Sequence, residues 1–314
     1  GTPAIGVGSG NTPVIIDERA DIRMAVNSIL LSKTFDNGMI CASEQSVVCL
    51  DEVYDKVRQE FLWRGAWFAD KEQAEALCGV IFKNGKVNSA IVGQPAYKIA
   101  GITVPESVKV LIAERDEVRP DDPFGHEKLS PVLGMYRVPD FTAALDTAKR
   151  LILQGGAGHT SVLYTDESKR DRIDVFEEVM PTGRTLVNMP ASQGAIGDVF
   201  NFRVAPSLTL GCGSWGGNSV SENIGVKHLM NIKTVAARRE NMLWFKVPRR
   251  IYFKLGSLRP ALEEYKDKKR AVIVTDANMV SCGYVAKVEK VLSDMGTDYR
   301  IFSEVQPDPT MATA

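Results

Sequence analysis

The sequence has few of the residues that build metal sites and disulfide frameworks. Its 314 residues include only three histidines and five widely spaced cysteines. No C-x-x-C pair and no H-E-x-x-H spacing occurs, so neither a zinc site nor a set of disulfides is predicted. We assign no metal ligand, and this use of cysteine favours a reducing, cytoplasmic environment.

Long apolar runs and an excess of charge are also lacking. No apolar run approaches the roughly 20 residues that span a bilayer, and the opening residues lack the regions of a signal peptide. Lys and Arg total 38 against 39 Asp and Glu, a net charge of −1. We therefore predict no membrane and no nucleic-acid partner. The chain opens without Met in a glycine-rich segment, and we expect both ends to be cut from a longer protein.

Short apolar runs alternate with segments of helical periodicity, which predicts an α/β fold with a largely parallel sheet. The predicted strands are 13–16, 46–50, 90–92, 108–112, 132–136, 161–164 and 185–188. The predicted helices are 17–32, 51–62, 72–83, 140–153 and 168–180.

The composition changes near residue 240. Residues 244–256 alternate aromatic and basic side chains around a proline, which predicts a linker hairpin, and a short charged helix with Ser257 as N-cap follows to residue 269. Residues 270–314 predict a strand at 270–276, a helix at 284–295 and a strand at 299–305, the first βαβ unit of a Rossmann-like domain. The predicted domains are therefore 1–243, linker 244–269 and a truncated second domain, 270–314.

Cys41 is the cysteine best placed for chemistry. A helical pattern breaks at residues 36–38, and Cys41 follows near the start of the next element. Backbone N–H groups at such a position can lower a thiol pKa and stabilise an oxyanion. The alternative is a small buried apolar residue, which is how we interpret Cys49, Cys78 and Cys282.

Several motifs occur in an order that resembles the CoA-acylating aldehyde dehydrogenase domain of the bifunctional aldehyde–alcohol dehydrogenases, and the resemblance covers essentially the whole chain. The motifs are residues 6–13 (GVGSGNTP), 35–45 (FDNGMICASEQ), 126–131 (HEKLSP), 158–161 (GHTS), 190–194 (PASQG) and 211–218 (GCGSWGGN).

The resemblance implies covalent catalysis by Cys41. The thiolate would attack an aldehyde to give a thiohemiacetal, hydride transfer to NAD⁺ would give a thioester, and CoA would take the acyl group. The substrates would be acetaldehyde and acetyl-CoA. In the parent protein an alcohol dehydrogenase would reduce acetaldehyde to ethanol, as in ethanol fermentation.

The first glycine loop favours CoA over water as the acyl acceptor. Hydrolytic aldehyde dehydrogenases use a glutamate in an E-L-G-G-K-S-P motif to activate water. Alignment of that motif's proline on Pro13 places Val7 at the glutamate's position, and valine cannot act as a base.

The resemblance also implies the cofactor contacts. Gly8 would line the nicotinamide side, Glu127 would bind the nicotinamide ribose, and Leu210 would lie near the cofactor in a loop, 208–217, that closes over the aldehyde. Trp215 is expected to anchor that loop. Leu-Ser at 129–130 departs from the family's Phe-Gly, so ring stacking there is not carried over.

His159 is the histidine that the resemblance brings forward, as an acid/base group or a group that gates cofactor and CoA. We interpret His126 and His228 as structural. On local sequence alone, a lone histidine such as His159 is more often structural than functional.

Residues 270–310 resemble the opening βαβ unit of an iron-dependent alcohol dehydrogenase, whose iron ligands would lie downstream. The hairpin near 244–256 resembles the linker through which the family forms homo-oligomeric helical filaments. The isolated chain is expected to bind NAD⁺ poorly and to turn over slowly or not at all. Two alternatives stay open: a filament-assembly segment without activity of its own, and a cysteine hydrolase.

Overall fold

The computed structural model describes residues 4–83, 85–99, 103–197, 200–201, 203–237 and 247–311. Two compact units are present, Gly1–Ile232 and Lys233–Ala314. Each is described below by itself.

The first unit is built on a seven-stranded sheet in which every neighbouring pair of strands is parallel. The order across the sheet is β3-β6-β7-β2-β1-β8-β9, so β2 lies at the centre and the first strand in the chain lies beside it, between β2 and β8. A two-stranded antiparallel pair, β4 and β5, lies outside it. The strands are β1 (Thr12–Ile16), β2 (Glu44–Leu50), β3 (Ala66–Phe68), β4 (Phe82–Lys83), β5 (Lys86–Val87), β6 (Val110–Arg115), β7 (Val132–Val138), β8 (Gly158–Tyr164) and β9 (Thr182–Val187).

The central strands β1, β2 and β8 are buried at every residue, as expected of a parallel sheet with both faces covered. Among the described residues of this unit, six α-helices connect or cover the strands, and aspartate side chains cap three of them, α1, α3 and α4. Of the described residues, no helix combines the length and apolar character needed to cross a bilayer. The helices are α1 (Ile22–Thr34), α2 (Asp51–Trp63), α3 (Lys71–Ile81), α4 (Phe141–Leu153), α5 (Arg170–Val179) and α6 (Ala191–Ile196).

The predicted parallel α/β architecture is confirmed, but several individual elements differ from the prediction. The strand predicted at 90–92 is wrong: these residues form turns, and the backbone N–H of Ile91 bonds Asn88 O. The short strands β3, β4 and β5 and the helix α6 are additional elements, and β4 occupies residues 82–83, which were predicted as the end of a helix. All four lack a periodic pattern long enough to be detected from sequence.

The described residues of the second unit form a parallel pair of strands and three α-helices. They are α7 (Leu258–Glu263), β10 (Arg270–Val274), α8 (Ala277–Ser281), α9 (Tyr284–Asp294) and β11 (Asp298–Phe302), which gives the predicted βαβ order. Of the predicted hairpin, residues 244–246 lie outside the described part. Residues 247–256 contain no strand, so the strands predicted there are wrong. Ser257 precedes α7 but makes no capping hydrogen bond through its side chain.

Candidate active site

The candidate site lies at the amino-terminal ends of the strands of the large sheet. The glycine loop precedes β1, Cys41 precedes β2, Glu127 precedes β7, and His159 is the second residue of β8. Because neighbouring strands are parallel, the segments that precede them lie together at the same end of the sheet. The sheet therefore brings together residues that are far apart in the sequence.

Cys41 is held in a tight turn between α1 and β2. A single 3-10 turn spans Phe35–Gly38, and within it Asp36 and Asn37 adopt positive φ angles of 49° and 47°. Gly38 follows with φ 74°, and a Cβ there would lie 2.7 Å from the backbone oxygen of Ser130. The turn thus packs directly on the segment that carries Glu127.

His159 lies against the cysteine. Its Nε2 is 3.3 Å from Cys41 Sγ, and its Nδ1 is 2.9 Å from the hydroxyl of Thr160. The imidazole is fully buried. Burial, with a smaller contribution from the positive charge of Arg184, lowers the pKa of His159 to about 3. The imidazole is therefore neutral at physiological pH.

The thiol of Cys41 is partly buried and its ionisation is disfavoured. Burial first, and the carboxylate of Glu127 second, raise the pKa of Cys41 to about 11, while the guanidinium of Arg184 acts in the opposite direction. The free protein therefore holds Cys41 largely as a thiol at neutral pH. Any thiolate that forms depends on the positive charge and hydrogen-bond donors around it.

The glycine loop makes the closest approach to Cys41. A Cβ at Gly10 would lie 1.9 Å from the backbone oxygen of Cys41 and 3.2 Å from His159 Nε2. The Gly10 N–H donates to Glu127 Oε1 at 2.9 Å. Gly10 thus joins the three predicted catalytic and cofactor-binding segments in one contact.

Glu127 is partly buried, and burial raises the pKa of its carboxyl group. The Gly10 N–H and the positive charges of Lys33 and Lys128 act against that rise. Lys33 is fully buried in α1, and its Nζ donates to Gln45 Oε1 at 3.3 Å. The same Gln45 oxygen accepts the Lys128 N–H at 3.0 Å, which fixes the segment beside Glu127.

The second glycine-rich loop, residues 208–217, adjoins the first. The side-chain oxygen of Asn218 accepts both the Gly8 N–H at 3.1 Å and the Cys212 N–H at 2.9 Å. Leu210 is buried and pairs with Asn223 in an isolated bridge. Trp215 does not anchor the loop, because 61% of its side chain is exposed. Hydrogen bonds to backbone groups hold the loop instead.

Sequence reasoning missed four buried polar residues around this site, namely Lys33, Glu44, Gln45 and Arg184. Burial lowers the pKa of Lys33 and raises that of Glu44, in each case to about 7. The one available signal was a charged residue inside an element that is otherwise uncharged, such as Arg184 in β9.

Metal ligands were not predicted, and the described residues contain no group of three or more His, Cys, Asp or Glu side chains arranged to hold a metal ion.

The neutral, buried state of His159 gives a pH-dependent stability. The pKa of histidine in an unfolded chain is about 6.5, so only the unfolded chain gains a proton as the pH falls from there towards 3. The contribution of neutral His159 to the free energy of unfolding is thus fully present above pH 6.5 and is lost progressively as the pH falls below it. Between pH 7 and pH 5 we expect the wild type to lose about 2 kcal/mol more unfolding free energy than a His159→Gln variant. Urea unfolding at both pH values measures the difference, and equal losses would contradict the assignment.

Comparison with known proteins gives three similarities. Residues 248–314 match the family described as iron-containing alcohol dehydrogenase. Over 99% of its length the chain is 56% identical to the bifunctional aldehyde-alcohol dehydrogenase AdhE of Escherichia coli K12, and it spans 36% of that protein. An acetylating aldehyde dehydrogenase from Geobacillus thermoglucosidasius has a structure with a TM-score of 0.72 at 41% identity, over 80% of this chain and 54% of that one.

Two further structures are of a propionaldehyde dehydrogenase from Clostridium phytofermentans. Both have a TM-score of 0.60, at 25% and 27% identity, and align with 69% of this chain and about half of that one. One carries a cysteine-to-alanine and the other a histidine-to-alanine substitution, at positions 118 residues apart. Cys41 and His159 are also separated by 118 residues.

Proposed function

We propose that this chain, a homologue of the bifunctional aldehyde–alcohol dehydrogenases over almost its whole length, contains the active site of a CoA-acylating aldehyde dehydrogenase. The reaction is the NAD(H)-dependent interconversion of acetaldehyde and acetyl-CoA. The observation that carries the proposal is the 3.3 Å contact between Cys41 Sγ and His159 Nε2 in a turn packed on the glycine loop. The equal spacing of the two substituted residues in the propionaldehyde dehydrogenase supports the same pair.

Cys41 is the nucleophile in this proposal. Its sulfur attacks the aldehyde carbon, and the aldehyde oxygen takes up a proton to give a thiohemiacetal. Loss of a hydride from that carbon and of the hydroxyl proton then leaves a thioester. His159 lies within hydrogen-bond reach of the sulfur and is neutral, so it contributes as a hydrogen-bond partner and not as a cation. The other buried cysteine of the site, Cys212, donates to Leu210 O at 3.7 Å and has no histidine partner among the described residues.

The residues at the site fit NAD⁺ as the hydride acceptor, which supplies the redox chemistry when bound. Gly8 and Glu127 are both partly accessible, and the loop carries no side chain at Gly8 to obstruct a flat ring. A carboxylate such as Glu127 can accept two hydroxyl hydrogen bonds from a ribose. Leu210 is buried in the adjoining loop, so its proposed role near the cofactor is to support that loop.

CoA, and not water, is proposed to release the acyl group. Val7 occupies the position at which hydrolytic enzymes have a glutamate, and a valine side chain cannot act as a base. Glu127 is the carboxylate that influences Cys41, and one of its oxygens is already bonded to the Gly10 N–H. With no carboxylate at position 7, and with the pKa of His159 lowered to about 3 so that its imidazole is a weak base, the thioester would persist until a thiol arrives.

The activity of the whole bifunctional protein extends the proposal, because the chain spans only 36% of the Escherichia coli relative. The match of residues 248–314 supports a following iron-dependent alcohol dehydrogenase that reduces acetaldehyde to ethanol. Cytoplasmic localisation, homo-oligomers and helical filaments are proposed with it. Shortening 247–256 and imaging the assemblies tests the role of that segment in filaments.

The decisive assay follows NADH formation from acetaldehyde and NAD⁺ by the full-length protein, with and without CoA. We expect activity to require CoA, with a residual rate of about 1% or less in its absence, because no base activates water. Equal rates without CoA would refute the argument from Val7. Thioester hydrolysis without NAD⁺ would instead identify a cysteine hydrolase.

A further inference from the structure

Arg184 is a buried cation whose hydrogen-bond partners are all neutral. The residue lies on β9 with 5% of its surface exposed. Its Nη2 donates to Gly211 O at 2.7 Å and its Nη1 to Asn223 Oδ1 at 3.3 Å. No carboxylate pairs with it among the residues that the structure describes. Burial of a charge without a counter-ion costs free energy. The buried position of Arg184 therefore indicates that the residue has a function that offsets this cost.

The third donor of Arg184 points towards the candidate nucleophile. Its Nε lies 3.4 Å from Thr160 Oγ1, that oxygen lies 2.9 Å from His159 Nδ1, and His159 Nε2 lies 3.3 Å from Cys41 Sγ. Arg184, Thr160 and His159 therefore form a continuous hydrogen-bonded chain that ends at the sulfur. Each of the three is buried, so water does not compete for these bonds.

The direction of the hydrogen bonds follows from what each group can donate. Arginine only donates, so Thr160 Oγ1 accepts from Arg184 Nε–H. The hydroxyl proton of Thr160 then needs an acceptor, and His159 Nδ1 is the remaining partner of that oxygen in the described structure. If Nδ1 carried the proton instead, a buried hydroxyl proton would be left unbonded. The chain thus selects the tautomer in which His159 carries its proton on Nε2, facing Cys41 Sγ.

We propose that Arg184 and Thr160 are positioning residues that hold His159 as a neutral Nε2–H donor aimed at Cys41, and that the charge of Arg184 favours the thiolate. In this arrangement His159 does not take the thiol proton, which passes to solvent. The Nε2–H of His159 instead donates a hydrogen bond to the sulfur anion and stabilises it. The catalytic importance of this effect rests on the proposed function, whereas the effect on the thiol itself does not.

The test is the pH dependence of Cys41 alkylation by iodoacetamide in the full-length protein, read by mass spectrometry of the Cys41 peptide. Thr160→Val keeps the shape of the side chain and removes the hydroxyl. We expect its alkylation midpoint to move to higher pH by about one unit, and its rate at pH 8 to fall about three- to tenfold. Thr160→Ser, which restores the hydroxyl, should recover the wild-type profile. Arg184→Met should shift the midpoint in the same direction.

The matched control is Ser161→Ala. Ser161 is the next residue of β8, equally buried, and its hydroxyl bonds Thr182 Oγ1 at 2.7 Å and not His159. Its alkylation profile should be unchanged. A Thr160→Val protein that keeps the wild-type melting temperature and the wild-type profile would overturn the proposal, even if Arg184→Met fails to fold. Because alkylation needs neither CoA nor NAD⁺, absence of dehydrogenase activity would refute the proposed function without affecting this result.

Discussion

Replacement of Cys41 by alanine is expected to reduce CoA-dependent NADH formation by on the order of 10⁴-fold or more, because no thioester can then form. Alanine removes one sulfur from a partly buried turn, so the fold should tolerate the change. Steady-state rates with acetaldehyde, NAD⁺ and CoA measure the loss. NAD⁺ affinity, measured by titration of the same variant, should stay within about twofold because the cofactor contacts are elsewhere.

The control for this substitution is Cys282→Ala, which removes an exposed thiol in the second unit and should leave the rate unchanged. The informative failure would be CoA-dependent activity that survives Cys41→Ala. Such a result would move the nucleophile to Cys212, whose sulfur would lie 3.4 Å from a Cβ at Gly8. A double variant of Cys41 and Cys212 would then decide between the two.

The second large effect is expected for Gly10→Ala. The added Cβ would lie 1.9 Å from the backbone oxygen of Cys41, and that neighbour is backbone, so it cannot rotate away. Either the glycine loop or the Cys41 turn must move by about an ångström. A misplacement of that size costs about 100-fold in rate, and we expect a loss of this order or larger in kcat/KM.

Two other glycines of the same loop serve as graded controls. A Cβ at Gly6 would meet nothing within 4 Å, and one at Gly8 would meet Cys212 Sγ at 3.4 Å, an ordinary contact. Gly6→Ala should therefore retain wild-type kinetics, and Gly8→Ala should lower the free energy of unfolding only slightly. If Gly10→Ala matched Gly6→Ala in kcat/KM, the close packing of loop and nucleophile would have no functional weight.

The parts of the fold that could be predicted are those with a clear apolar pattern. Residues 13–16 and 132–136 are apolar runs bounded by turns, and both are strands. The run at 90–92 looks similar but packs Ile91 into a turn, since a three-residue run does not distinguish a strand from a buried turn. The strand β3 is equally short, and pairing with β6 defines it where its own sequence does not.

The candidate site could be predicted only in part. Cys41, Glu127 and His159 belong to motifs, and the fold brings Cys41 into contact with His159 and Glu127 into contact with the loop. Arg184 and Lys33 belong to no motif, and their importance depends on burial beside residues more than 10 positions away. The location of the site at the amino-terminal ends of the strands is also unexpected, because open α/β sheets generally bind ligands at the carboxyl ends of their strands.

The place of β1 between β2 and β8 has a consequence for how the chain folds during synthesis. β1 is made well before one of its two neighbours, β8, which ends only at Tyr164. No adjacent pair in this parallel sheet can close as a hairpin, so every pairing waits for a long connection and its loop entropy. Assembly on the ribosome is therefore expected to finish late and slowly, with the apolar edge of β1 exposed until β8 has emerged. Chaperones that shield unpaired strands would act in that interval.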